Sequence, residues 1–298
     1  MGKRNGKGKQ YCYSRDYEDQ LIITNFEGNF IDGEKNRNFS KYFSSRRDTI
    51  LELECEFLND KENGKGKEYD YYGNIIFEGE YVNGKKNGKG KVYKYNGNSV
   101  FECEYVNGEV NGKGKKYDYN GKLIFEGEYI FGYRLKGKEY INEKLVYEGD
   151  YLCDKKWNGK GYDKNGNIIY EIINGNGKIK EYDQYNGNVL FECDYLNGLR
   201  NGKGKEYNDN GELIFEGEYL YGKRNGKGKE YNYYGKLIFE GEYFNNKKWK
   251  GKAKEYFDGK LLFQGEYLNG KRHGKGKEYD DNGNLIYEGE YFLDQRIK

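Results

Sequence analysis

Apolar and polar residues alternate in short blocks along almost the whole chain. Ile75, Phe77, Gly79 and Tyr81 alternate with Ile76, Glu78, Glu80 and Val82. Period two with β-branched and aromatic residues predicts a strand. Asn83-Gly84-Lys85-Lys86-Asn87-Gly88 follows. Its two Asn-Gly pairs tolerate positive φ, which predicts a turn of about six residues. Lys89-Gly90-Lys91-Val92-Tyr93-Lys94-Tyr95 predicts a second strand, and Asn96-Gly97 a tight type I′ turn into the next unit. The predicted element is a β-hairpin, with a longer turn on one edge of the sheet and a tight turn on the other.

The hairpin repeats. The block Phe77 to Tyr81 recurs as Phe101 to Tyr105, Phe125 to Tyr129, Tyr147 to Tyr151, Phe191 to Tyr195, Phe215 to Tyr219, Phe239 to Tyr243, Phe263 to Tyr267 and Tyr287 to Tyr291. Successive starts lie about 24 residues apart. A fixed period of that size predicts a quasi-one-dimensional stack in which each unit touches its neighbours. One elongated domain over 1–298 is expected, of about eleven hairpins. Residues 1–50 read as divergent N-terminal repeats and 287–298 as a terminal half-repeat. The rhythm also breaks at Tyr170-Glu171-Ile172-Ile173-Asn174, and at Asn245 to Trp249 with Ala253 in place of a glycine.

Strand glycines need a cause, because glycine weakens strands. Gly79 and Gly90 leave room for neighbouring Tyr and Phe rings to lie flat across them. With Tyr81 set opposite Gly90, Glu80 faces Lys91, and opposite charges across strands add roughly 0.2–1 kcal/mol per pair. Cys55, Cys103 and Cys193 stand at the glycine position of their blocks and read as small residues packed under rings.

Composition changes the picture in two ways. Charged residues make up 34% of the chain and mean hydropathy is −1.18, which argues for disorder. The 35 tyrosines at fixed positions argue against it, and with 35% hydrophobic residues a thin sheet is expected rather than a thick core. The net charge of +2 does not point to nucleic acid. No apolar run approaches the roughly 18 residues of a membrane span. The N-terminus has no apolar signal region. A cytoplasmic location is the default expectation, with membrane association left open.

The units Phe215 to Gly228 and Gly265 to Gly276 resemble MORN (membrane occupation and recognition nexus) repeats, with the pattern Tyr-Glu-Gly-Glu-aromatic, Asn-Gly-Lys, His-Gly-x-Gly. Tyr stands for the usual Trp, and Asn for the turn His except at His273. Asn210 to Phe215 resembles the variant MORN class, which includes antitoxin-like proteins. The resemblance implies an all-β fold, an elongated twisted single-layer antiparallel sheet of tandem β-hairpins. It implies a non-enzymatic scaffold for protein–protein interaction. The alternatives it leaves open are a peripheral phospholipid-binding module and an antitoxin-like protein that neutralises a partner.

Two candidate surfaces follow. Tyr81, Tyr105, Tyr129, Tyr219, Tyr243 and Tyr267 form an aromatic stripe, either core or a partner groove. Lys85, Lys86, Lys223, Arg224, Lys247, Lys248, Lys271 and Arg272 form a basic edge, either a solvated rim or a dock for an anionic membrane or acidic partner. No catalytic residue, metal ligand or cofactor is expected. The partners expected are a protein of unknown identity, an anionic phospholipid surface, or a second copy joined through terminal strands.

Overall fold

The computed structural model describes residues 3–15, 21–44, 49–94, 99–183 and 186–297. Among these the chain forms twenty-five strands and no helix. The fold is all-β, with antiparallel hairpins in open sheets, as the period-two pattern predicts. Contacts gather into two compact units, Met1–Glu143 and Lys144–Lys298. In the first, every strand from Gly6–Arg15 to Tyr133–Ile141 is followed by its antiparallel neighbour in sequence order. In the second, Lys144–Leu152, Lys155–Tyr162 and Ile168–Ile172 pair in succession, as do the strands from Gly177–Tyr182 to Gln295–Arg296. The last hairpin is therefore closed: Gln295 and Arg296 return against Phe292 and Tyr291.

The two edges are the reverse of the sequence expectation. Val82 pairs with Lys85, so Asn83-Gly84 is a two-residue turn with φ of 51° and 81°. Both values are positive, as a type I′ turn requires. Asn87-Gly88 makes no turn. It lies inside the strand Lys85–Tyr93, where Gly88 (φ 84°) forms a bulge opposite Glu80. The longer connection is on the other edge. In Asp70-Tyr71-Tyr72-Gly73-Asn74 the Gly73 amide donates to the Asp70 carbonyl at 3.1 Å, and Asp70 Oδ1 accepts from the Tyr72 and Asn74 amides at 2.9 and 2.8 Å. The pair Asn96-Gly97 lies outside the described residues.

Tight turns hydrogen-bond to one another along their edge. Gly108 donates to the Lys86 carbonyl, Gly132 to Val110 and Gly222 to Arg200, each at 2.8 Å. Each turn is thus fixed to the strand that follows the previous turn.

The register also differs from the expected one, by two residues. Gly79 lies opposite Gly90, and Glu78 opposite Lys91. A slip of two leaves each side chain on its expected face, because the side-chain period is two. The pairing builds a row of small residues across the strands: Gly66, Gly79, Gly90, Cys103, Gly114, Gly127 and Gly137. Rings roof this row. A Cβ on Gly90 would meet Phe77 at 2.7 Å and the Tyr105 ring of the next repeat at 2.8 Å. The Phe77 and Tyr105 rings meet edge to face, 5.5 Å apart, and Phe215 and Tyr243 repeat this at 5.1 Å. Such pairs contribute about 0.5–1.5 kcal/mol each beyond area burial. A single layer can hold a core because ring area is buried on backbone.

Departures from the repeat follow the same logic. In the N-terminal repeats Phe39 itself takes the row position, between Gly28 and Cys55. Ala253 moves the row by two residues: Gly241 pairs with Gly251, but it is Ala253 that pairs with Gly265.

Candidate functional site

The aromatic stripe is the core. Tyr81, Tyr105, Tyr129, Tyr219 and Tyr243 are buried, and Tyr267 is partly buried. Their hydroxyls turn back into the sheet: Tyr81 donates to Glu68 and Tyr243 to Glu230, each at 2.7 Å, and Tyr219 and Tyr267 donate to Glu206 and Glu255. Burial, and then the adjacent carboxylate, push the hydroxyls of Tyr81, Tyr219 and Tyr243 far above the ordinary tyrosine value. These rings stay neutral and are spent on the repeat itself.

The basic edge divides in two. Lys85, Lys223, Lys247 and Lys271 are exposed. Lys86, Arg224, Lys248 and Arg272 point to the ring face. Lys86 Nζ sits 3.8 Å from the Phe77 ring centre, and the Arg224 and Arg272 guanidinium carbons 4.1 and 4.2 Å from Phe215 and Phe263. Each also meets a carboxylate: Lys86 with Glu68 at 2.9 Å, Arg224 Nε with Glu206 at 2.8 Å, Lys248 with Glu230 at 3.2 Å, Arg272 Nε with Glu255 at 2.9 Å. Burial resists ionisation of Glu206 and Glu255, but the hydrogen bonds from arginine and tyrosine outweigh it and hold both below the ordinary carboxyl value. The second basic residue of each turn is therefore a lid on the aromatic core.

The opposite face carries the charge. Lys91 and Glu102 pair at 3.0 Å, Lys229 and Glu240 at 3.4 Å, and Lys277 and Glu288 at 3.0 Å. Such exposed pairs are worth about 0–1 kcal/mol each. The second acid of the block has a different task. Glu104 accepts the Lys113 amide at 2.9 Å, and Glu218 the Lys227 amide at 3.0 Å. It caps the backbone at the glycine bulge.

In the second unit this charged face is hollowed into an open groove of about 820 Å³. Glycines 204, 217, 228, 241 and 251 lie along it, with lysines and glutamates between. Along the tight-turn edge runs an apolar row that the sequence reading missed. The residue after the block tyrosine is apolar, and it is exposed at Val82, Val106 and Ile130 in the first unit and at Leu152, Leu196, Leu220, Phe244 and Phe292 in the second, whereas Leu268 is half-buried. The signal was present, since Val, Ile, Leu or Phe always stands there. Leu220 lies two residues beyond Glu218, so it shares the face of the groove.

Cys55, Cys103 and Cys193 are buried, and burial pushes their thiols up to about 12, 11 and 12. No group of His, Cys, Asp or Glu among the described residues is arranged to hold a metal ion. No helix among them is long and apolar enough to cross a membrane.

The sequence model of the MORN repeat matches at residues 1–17, 56–71, 77–99, 194–212, 215–232 and 263–285. The chain carries MORN repeats. In the matched stretches 77–99, 215–232 and 263–285 the block Phe roofs the glycine row, and the turn that follows the block is the tight one. No curated protein is significantly similar to the chain. MORN repeats are a non-enzymatic repeat type, commonly found as modules that contact proteins or membranes.

Proposed function

We propose that this chain is a non-enzymatic MORN scaffold that holds another protein on the charged face of its repeats. One observation carries the reading. The aromatic face is consumed by its own tyrosines, arginines and glutamates, whereas the charged face keeps a groove of about 820 Å³ open to solvent. Affinity purification of the tagged full chain from its own cells, with crosslinking, tests it. A protein in constant ratio to the chain, with crosslinks at groove lysines such as Lys205 and Lys227, is expected. Crosslinks confined to the Asp70-type loops refute the placement.

The exposed half of the basic edge supports a second reading. Lys85, Lys223, Lys247 and Lys271 stand beside exposed apolar residues, a combination that suits an anionic phospholipid surface. Co-sedimentation with phosphatidylserine vesicles tests it. Retention of the chain in the supernatant at low salt ends that reading.

A further inference from the structure

The apolar row and the groove of the second unit are neighbours on one face, and together they define a shape and a charge. Leu196, Leu220 and Phe244 end the strands Val189–Leu196, Leu213–Leu220 and Leu237–Phe244. They are 46%, 42% and 58% exposed, although each is a large apolar side chain. An exposed apolar residue is unremarkable singly, but an aligned series is not. The turns that follow them are locked to one another: Gly222 donates to the Arg200 carbonyl at 2.8 Å, and Asn246 to the Arg224 carbonyl at 2.9 Å. The row is therefore a rigid set of knobs. Two strand spacings separate successive knobs, about 9.6 Å.

One turn in this series is strained as well as exposed. Tyr221 holds φ at 50° and is 72% exposed. Asn, Asp or Gly is the usual occupant of that position in a type I′ turn. A bulky residue there adds backbone strain to an exposed ring, and such combinations gather at recognition surfaces.

Six lysines and five glutamates line the groove beside the row, Lys203, Lys205, Lys227 and Lys250 among them. Most of the acids around them make contacts of their own. Asp194 caps the Lys203 amide at 3.2 Å and Glu218 the Lys227 amide at 3.0 Å. Glu192 pairs with Lys180, and Glu240 with Lys229. Glu216 accepts from Tyr231 at 2.9 Å. Glu242 stands opposite Lys227 and Lys250 in the register without forming an ion pair among the described residues. Lys205 lies opposite Glu192 and Glu216 in the register, yet none of the four ammonium groups forms an ion pair among the described residues, which leaves each able to take a carboxylate from a partner.

We propose that this face binds an acidic amphipathic helix of a partner protein, seated in the groove with its apolar stripe on Leu196, Leu220 and Phe244. The inference rests on the protein-scaffold reading and names its partner chemistry. A helix rises 1.5 Å per residue, so the 9.6 Å between knobs spans about six to seven residues, close to two helical turns. Apolar positions about seven apart then meet successive knobs, and glutamates or aspartates on the flank meet the groove lysines. The hollow decides between a helix and a membrane. A rod about 10–12 Å across enters a groove, whereas a bilayer surface meets a convex one.

The test uses the full chain and a displayed library of random peptides about 20 residues long, a length that reaches across three knobs. Peptides with acidic residues and apolar residues about seven apart are expected to be enriched. Their affinity is expected to fall at least about tenfold for the Leu196→Asp, Leu220→Asp, Phe244→Asp triple variant, as for loss of anchor residues. It should fall similarly for Lys203→Glu, Lys227→Glu, Lys250→Glu, and more steeply in low salt. Circular dichroism confirms that each variant keeps the wild-type fold. No enrichment, or enriched peptides that bind both variants as well as wild type, overturns the proposal. Binding of phosphatidylserine vesicles that depends on the same residues, with no peptide enriched, also overturns it and assigns the surface to lipid. A cellular partner that is captured but indifferent to the triple variant ends the helix proposal while leaving the scaffold reading in place.

Discussion

Gly217→Val sets two effects of opposite sign against each other. Gly217 lies mid-strand, where valine is the better strand former, and the gain from propensity and backbone entropy is about 1 kcal/mol. Packing opposes it. A Cβ at Gly217 would lie 2.7 Å from the Gly228 Cα, 2.7 Å from the Lys227 carbonyl oxygen and 2.7 Å from Phe215 Cζ. The ring can swing away, but two of the three atoms are backbone of the paired strand. Overpacking costs about 1–3 kcal/mol, and rigid neighbours place this site at the upper end. The net expectation is a loss of about 2 kcal/mol. For a cooperative unit of roughly 150 residues that lowers the thermal midpoint by about 4–8 °C. Lys223→Ala, on the exposed rim, is the control and should stay within about 0.5 kcal/mol. Thermal melts followed by circular dichroism read both. A Gly217→Val midpoint equal to or above wild type means the rings do not need the bare backbone, and the account of the single-layer core fails.

Other consequences are equally open to measurement. Arg224→Ala removes the partner of Glu206 and the cover of Phe215, so it should cost about 1.5–3 kcal/mol in urea denaturation, well beyond Lys223→Ala. Glu206 has a folded-state value below its ordinary 4.5. Its stabilisation is therefore complete above that value and fades as pH falls through the lower, folded value. Wild type should lose more stability than Glu206→Gln between about pH 5 and about pH 3, and parallel losses would discard the network. Iodoacetamide should label Cys12 and Cys153 in the native protein, and Cys55, Cys103 and Cys193 only after unfolding, as read by peptide mass spectrometry. Tyr221→Asn relieves a left-handed residue and should raise the midpoint, by about 1 kcal/mol of stability.

The repeat, the strand alternation and the small-residue role of Cys103 were legible because each rests on local period or on size alone. The edges were not. Asn83-Gly84 and Asn96-Gly97 are the same dipeptide, and both suit a tight turn. Which one closes the hairpin depends on pairing: Val82 against Lys85 leaves only two residues to turn. The extra residues at Gly88 are then absorbed as a bulge, against which the Glu80 carboxylate of the preceding strand is packed. The basic edge misled for a related reason. Lys85 and Lys86 are adjacent and alike in sequence, yet adjacent strand residues face opposite ways. One reaches solvent and the other reaches Phe77. The same parity exposes Val82 and Leu220, and counting it past the tyrosine would have revealed the apolar row.

The roofing of Gly90 by Phe77 from one side and Tyr105 from the other has a genetic consequence. The joint between repeats, rather than the repeat itself, is the complete unit of packing. Any two joints in the regular stretches are interchangeable, because each offers a glycine and asks for the same pair of rings. Phe215 and Phe239 begin blocks that start Phe-Glu-Gly-Glu-Tyr alike. An in-frame crossover between them discards one unit and brings together halves that already match. A gene of this kind can change its number of repeats by unequal recombination, one whole unit at a time, without any compensating substitution. Partial units would meet a mismatched roof and be lost. The length of the scaffold is thereby a quantity on which selection can act in steps, while the core stays as it is.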